Sequence, residues 1–175
     1  MNERKNCVFI GDSLTQWCDW EQRFPEHMVT NLGIAGETVE GLLGRRESIR
    51  AAIENPGYIF LMTGINNIAT EQYDFIDPYR EVVRNLTTWY KRATIVVQSI
   101  LPVELTFVDH NMIRDTNRQL EQIAREFSAA YLDVYSLFVD PTGNPLSECL
   151  QEDGVHVSRH GYDVWTEAVG RYLKK

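Results

Sequence analysis

Residues 6–14 read Asn6-Cys7-Val8-Phe9-Ile10-Gly11-Asp12-Ser13-Leu14, and the order of residue types in them decides the fold. A short apolar run of strand-forming residues meets a glycine and then two residues that favour helix starts, so a buried strand passes directly into a helix. The same switch recurs along the chain. Strand patterns over residues 28–32, 58–63 and 93–100 each precede a helical pattern, over 38–54, 75–90 and 109–127 respectively. Residues 14–24 read as the helix after the first strand, 130–134 as a further strand, and a terminal helix begins near Arg159. Strands alternating with helices mark βαβ units, and they predict an α/β fold: a three-layer α/β/α sandwich on a mainly parallel sheet of about five strands.

The helices show which side they bury. Val82, Val83, Leu86 and Tyr90 form one stripe, Ile113, Leu120, Ile123, Ala124 and Phe127 a second, and Val164, Trp165, Ala168, Val169, Tyr172 and Leu173 a third. Asn55-Pro56-Gly57 stops the second helix, and Asp140-Pro141 to Asn144-Pro145 marks a long excursion before the last one. No repeat or shift in composition divides the sequence, so residues 1–175 read as one domain.

Composition narrows the classes of function. Hydrophobic residues make up 43% and charged residues 24%, ordinary values for a globular chain, which sets disorder and coiled coil aside. The formal charge of −8 repels phosphate backbones and anionic lipid surfaces, so nucleic acid is a poor partner. Apolar runs such as residues 58–62 are far shorter than the ~20 residues of a membrane span, and no signal-peptide core precedes Gly11, so no integral membrane association and a cytoplasmic location are expected. Three cysteines, Cys7, Cys18 and Cys149, lack paired spacing and fit a reducing compartment rather than a disulfide framework or a zinc cage.

In a parallel sheet the carboxyl ends of the strands share one edge, and loops that follow different strands converge there. Four segments fall on that edge. Gly11-Asp12-Ser13-Leu14 exposes a serine at a strand-to-helix turn with its N–H aimed into the crevice, where it is placed as a nucleophile; the same residues also suit a simple helix cap. Residues 31–38 carry Gly33 and Gly36 and could supply an oxyanion donor or a phosphate cradle, or use glycine only for its backbone freedom. Gly64-Ile65-Asn66-Asn67 offers a side-chain amide to a developing oxyanion, although asparagine is also a common turn former. Asp153-Gly154-Val155-His156 brings a base and a carboxylate to orient it within one turn of chain. A metal site of Asp153, His156 and His160 is the competing reading, but Ser158 and Gly161 put His156 before the helix rather than on it, and neither metal nor cofactor is expected. A nucleophile, a base with its carboxylate and two oxyanion candidates together describe acyl transfer.

In order and spacing these four blocks resemble the motifs of the SGNH hydrolases, also called GDSL esterases, over residues 7–162 and including Gly161-Tyr162. The resemblance implies a flavodoxin-like sandwich and a two-step serine esterase mechanism without a metal. It implies Ser13 as nucleophile, His156 as base and then acid, Asp153 as its orienter, and the N–H groups of Ser13 and Gly36 with the Asn66 amide as the oxyanion hole. Two positions depart from the pattern: the third block usually ends in Asp where this chain has Asn67, and the last often has proline where this chain has Val157. Asn67, Leu101-Pro102 and residues 117–124 resemble the platelet-activating-factor acetylhydrolase branch. The expected substrate is a small or short-chain carboxylic ester, such as an acetyl ester of a carbohydrate or lipid-like alcohol. An acyltransferase using the same acyl-enzyme and a non-catalytic ligand-binding module are the alternatives, and association into a homo-oligomer is left open.

Around the blocks, Trp17 and Cys18 share a helical stripe with Leu14 and are expected in the core. Trp20 points elsewhere and reads as a residue of the cleft rim, a sugar-stacking ring or a dimer contact. Asp12, Asn67, Trp20 and Val155 are the candidates for the substrate cleft. Arg45, Arg46 and Arg50, with Glu47 and Glu54, read as a solvated helix face. His27 and His110 lie outside the blocks, and the loops 65–74 and 102–110 are expected to shape specificity.

Overall fold

The computed structural model describes residues 4–174. Strands β1 (Asn6–Gly11), β2 (Met28–Asn31), β3 (Tyr58–Met62), β4 (Thr94–Gln98) and β5 (Ala130–Leu132) form one sheet in the order β2-β1-β3-β4-β5. Every neighbouring pair is parallel. This is the flavodoxin-like order, in which the chain leaves β1 toward one side and returns on the other, so a crevice opens beyond the carboxyl end of β1.

Period-two alternation sends successive strand residues to opposite faces. Phe9, Phe60 and Val96 stand side by side in register on one face, with the Phe9 and Phe60 rings 5.0 Å apart. Helix α2 (Trp20–Arg23) and helix α8 (Arg159–Leu173) cover it. Trp20 stacks on Phe9 at 3.8 Å and meets Trp165 edge-on at 5.1 Å. Both indole N–H groups are satisfied in the core, Trp20 by the Thr15 carbonyl at 2.9 Å and Trp165 by Gln98 Oε1 at 2.8 Å. Val8, Ile10, Ile59 and Leu61 face the other way and are equally buried. On that side α3 (Val39–Gly44) packs on α6 (Ile76–Trp89), which packs on α7 (His110–Glu126). Helix α4 (Arg46–Ala52) follows α3.

Several boundaries differ from the sequence pattern for local reasons. The helix expected over residues 14–24 is two helices, because Asp19 accepts the Gln22 N–H and starts α2 anew after the single turn of α1 (Ser13–Gln16). This break exchanges the expected roles of the tryptophans. Cys18 is buried as its stripe predicts, but Trp17 is 51% exposed, and Trp20 is 1% exposed and belongs to the core rather than to a rim or a dimer contact. The helix expected over 38–54 divides at Arg45, and the loop expected over 65–74 opens as a short helix, α5 (Ile65–Ala69).

Because Trp20 is enclosed by Phe9, Phe24 and Trp165, Trp20→Ala should destabilise the fold by about 3–5 kcal/mol, read from urea unfolding.

Candidate active site

Asp12 joins β1 to α1. Its Oδ1 accepts the Leu14 N–H at 3.0 Å, capping the turn and setting Ser13 at the first helical position, where the backbone N–H has no acceptor within the helix. Asp12 is fully buried, and Oδ2 finds no donor among the described residues. Burial pushes its carboxyl up to about 7, against the opposing effect of backbone N–H bonds.

The far end of the chain is brought to this turn by α8. The Tyr162 hydroxyl donates to the Leu14 carbonyl at 2.9 Å, and Arg23 pairs with Asp163. Ahead of α8, residues 150–157 form a small loop closed by a bridge between Leu150 and Val157, with Gln151 N–H donating to the His156 carbonyl at 2.7 Å. Gly154 turns it with φ +69, and a Cβ there would lie 3.0 Å from both Cβ and carbonyl oxygen of Glu104. That contact exists because the Glu104 N–H donates to the Gly154 carbonyl at 2.7 Å, hanging the loop on the segment after β4.

Ser13 Oγ lies 3.2 Å from His156 Nε2, and His156 Nδ1 lies 2.5 Å from Asp153 Oδ2. Asp153 Oδ1 also accepts the N–H groups of Val155 and His156, each at 2.9 Å. Chiefly through the His156 bond, the Asp153 carboxyl is held down to about 2, so it is ionised at neutral pH and can only accept. In the neutral ring Nδ1 therefore carries the proton, and Nε2 turns its lone pair to the Ser13 hydroxyl. Among the described residues no group of three His, Cys, Asp or Glu side chains is arranged to hold a metal ion.

Gly36, with φ +75, occupies an exposed turn closed by Glu37 N–H to the Ile34 carbonyl at 3.2 Å. Four ties hold this turn against its neighbours. Ile34 N–H donates to the Gly11 carbonyl at 2.9 Å, Ala35 N–H to Gln16 Oε1 at 2.7 Å, and Asn66 Nδ2 to the Glu37 carbonyl at 3.0 Å. Gly33 approaches α1 so closely that a Cβ would stand 2.5 Å from the Gln16 nitrogen. Arg45 supplies the fourth tie, which the sequence pattern does not reveal. It forks onto the Glu37 carboxylate at 2.5 and 2.7 Å and reaches the Leu32 carbonyl at 2.7 Å, so it is drawn inward rather than lying on a solvated face with Arg46 and Arg50. The segments that carry Ser13, Gly36 and Asn66 are thus tied together by hydrogen bonds of their neighbours.

Three of the four expected cleft residues, Asp12, Trp20 and Asn67, are buried, and Val155, next to His156, is partly buried and packs against the core. Asn67 is fully buried and braces two helices: Oδ1 accepts the Val39 N–H at 2.9 Å, and Nδ2 donates to Glu40 Oε2 at 2.7 Å. An aspartate could make the first bond but would set a second carboxylate against Glu40, which explains why the amide stands here.

A model of the GDSL-like lipase/acylhydrolase family matches residues 9–164. The chain belongs to that family. Membership makes it a hydrolase of ester bonds, and the parallel five-stranded sandwich is the fold shared by its structural neighbours. Platelet-activating factor acetylhydrolase IB subunit alpha1 of Rattus norvegicus is 28% identical over 163 residues, spanning 89% of this chain and 69% of that protein. A protein of Streptococcus pneumonia superposes with a TM-score of 0.86 at 23% identity, over 98% of this chain and 85% of the other. An acetyl xylan esterase from Geobacillus stearothermophilus superposes with a TM-score of 0.76 at 23% identity, over 97% and 94% of the two chains. These two superpositions carry the fold.

Asn67→Asp should cost about 1–3 kcal/mol in denaturant unfolding, and adding Glu40→Gln should recover much of it, since the glutamine can donate to the new carboxylate. A second outcome concerns pH. A folded carboxyl raised from its ordinary value to about 7 favours the native state below about pH 4. That contribution is lost as pH rises from about 4 through 7. Unfolding free energy should carry this downward slope, and Asp12→Asn, which keeps the Leu14 bond, should remove it.

Proposed function

We propose that this protein is a serine esterase that hydrolyses small or short-chain acyl esters, acetyl esters foremost, through an acyl-enzyme on Ser13. The observation that carries the reading is the chain of contacts from Ser13 Oγ to His156 Nε2 and from Nδ1 to an ionised Asp153. The names of the acetylhydrolase relative and the acetyl xylan esterase neighbour support acetyl as the acyl group.

In this reading Ser13 Oγ attacks the ester carbonyl carbon while its proton passes to His156 Nε2. Asp153 keeps Nδ1–H in place and offsets the positive charge that the ring acquires. The carbonyl oxygen becomes an oxyanion, which takes hydrogen bonds from the N–H groups of Ser13 and Gly36 and from the Asn66 amide, whose second N–H is not used on Glu37. Collapse breaks the bond to the alcohol, which leaves with the proton from Nε2. Water then repeats the sequence on the acyl-enzyme, with His156 as base, and frees the acid and Ser13.

Ser13→Ala should abolish hydrolysis of a chromogenic acetate ester with the circular dichroism spectrum unchanged, and a variant as active as the parent would overturn the proposal. Asn66→Ala should lower kcat by about a hundredfold or more.

A further inference from the structure

Ser13 and Trp17 are four residues apart, so the single turn of α1 stacks their side chains on one face, and Trp17 N–H donates to the Ser13 carbonyl at 3.0 Å. The residue that meets Ser13 from across the sheet edge must therefore meet Trp17 as well. The centroids of the Trp17 and His156 rings lie 4.1 Å apart with 29° between their planes. Unlike Trp20 and Trp165, which are enclosed, Trp17 stays half exposed and covers a polar ring instead of filling the core. The two hydrogen bonds of His156 both act in the plane of its ring, at Nδ1 and Nε2. They fix its edges but leave it free to tilt about the line that joins them. A flat neighbour against one face removes that freedom, and the electron-rich indole face attracts the ring more strongly once it is protonated.

We propose that Trp17 is a positioning residue for His156, holding the imidazole in the plane of Ser13 and Asp153 and stabilising its protonated form during acyl transfer. The proposal rests on the esterase reading above. An interaction that strengthens as charge develops acts on the chemical step, so its loss lowers kcat without raising KM. A ring that instead served as a shelf for the departing alcohol would act on KM, to an extent set by that alcohol.

The test compares Trp17→Leu and Trp17→Phe with the parent on two acetates, methyl and phenyl, that share an acyl group and differ in alcohol. Trp17→Leu should lose about three- to tenfold in kcat on both, with KM unchanged, and Trp17→Phe should restore most of it. A change confined to KM, a loss that differs between the alcohols, or equal losses in the two variants would overturn the proposal. A second readout does not need turnover. Protonated imidazole quenches a stacked indole, so acidification should lower emission in the parent and much less in His156→Gln or Trp17→Phe. Asp153 and Asp12, the other titrating groups beside the ring, are retained in both variants. A quench that survives His156→Gln counts against the contact alone, whereas ester turnover that survives Ser13→Ala counts against the esterase reading.

Discussion

Parallel strands cannot be joined by hairpins, and that constraint governs the rest of this molecule. Each strand must be followed by a crossover that begins on the same edge of the sheet, so every loop that leaves a strand starts from one side. With the order β2-β1-β3-β4-β5, the crossovers on either side of β1 depart in opposite directions and leave room beyond it. Ser13 stands in that gap. The Gly36 turn comes from β2, Asn66 from the segment after β3, and the support for the histidine loop from the segment after β4. Residues separated by most of the chain meet because the sheet leaves them no other edge.

Two aspartates beside the contact between Ser13 and His156 have opposite environments. Asp153 is half exposed, yet it is tied to the imidazole and two backbone N–H groups, which favour its charge. Asp12 caps α1 with one oxygen and is enclosed at the other, which disfavours charge. The effect is to place a fixed negative charge behind His156 and a variable one under Ser13.

Much of this was legible in the residues. Strand and helix order follows from apolar patterning, and Ser13, Asp153 and His156 lie in short segments whose neighbours leave few conformations open. The misreadings share a cause, which is that side-chain contacts across the fold are not periodic. Trp17 is exposed because α1 ends before it, at Gln16, and Trp20 is buried because the Asp19 side chain restarts the helix there. The spacing of four from Ser13 to Trp17 was a usable signal for the aromatic contact. Arg45 and Glu37 are eight apart on either side of a helix start, a separation that marks no local pattern, and their pairing is visible only once the Gly36 turn is folded against α3. Asn67 departs from the family motif for a reason held in Glu40, a residue outside that motif.

The bond from Glu104 N–H to the Gly154 carbonyl has a bearing on how such a molecule can change. The segment that follows β4 includes residues of the loop 102–110, whose length and sequence are free to vary only as far as this bond allows. Here that segment also carries the weight of the imidazole. Grafts that shift its backbone at Glu104 would move His156 along with it. Diversity introduced at the exposed tip, around Phe107, is separated from that anchor and leaves the chemistry where it stands.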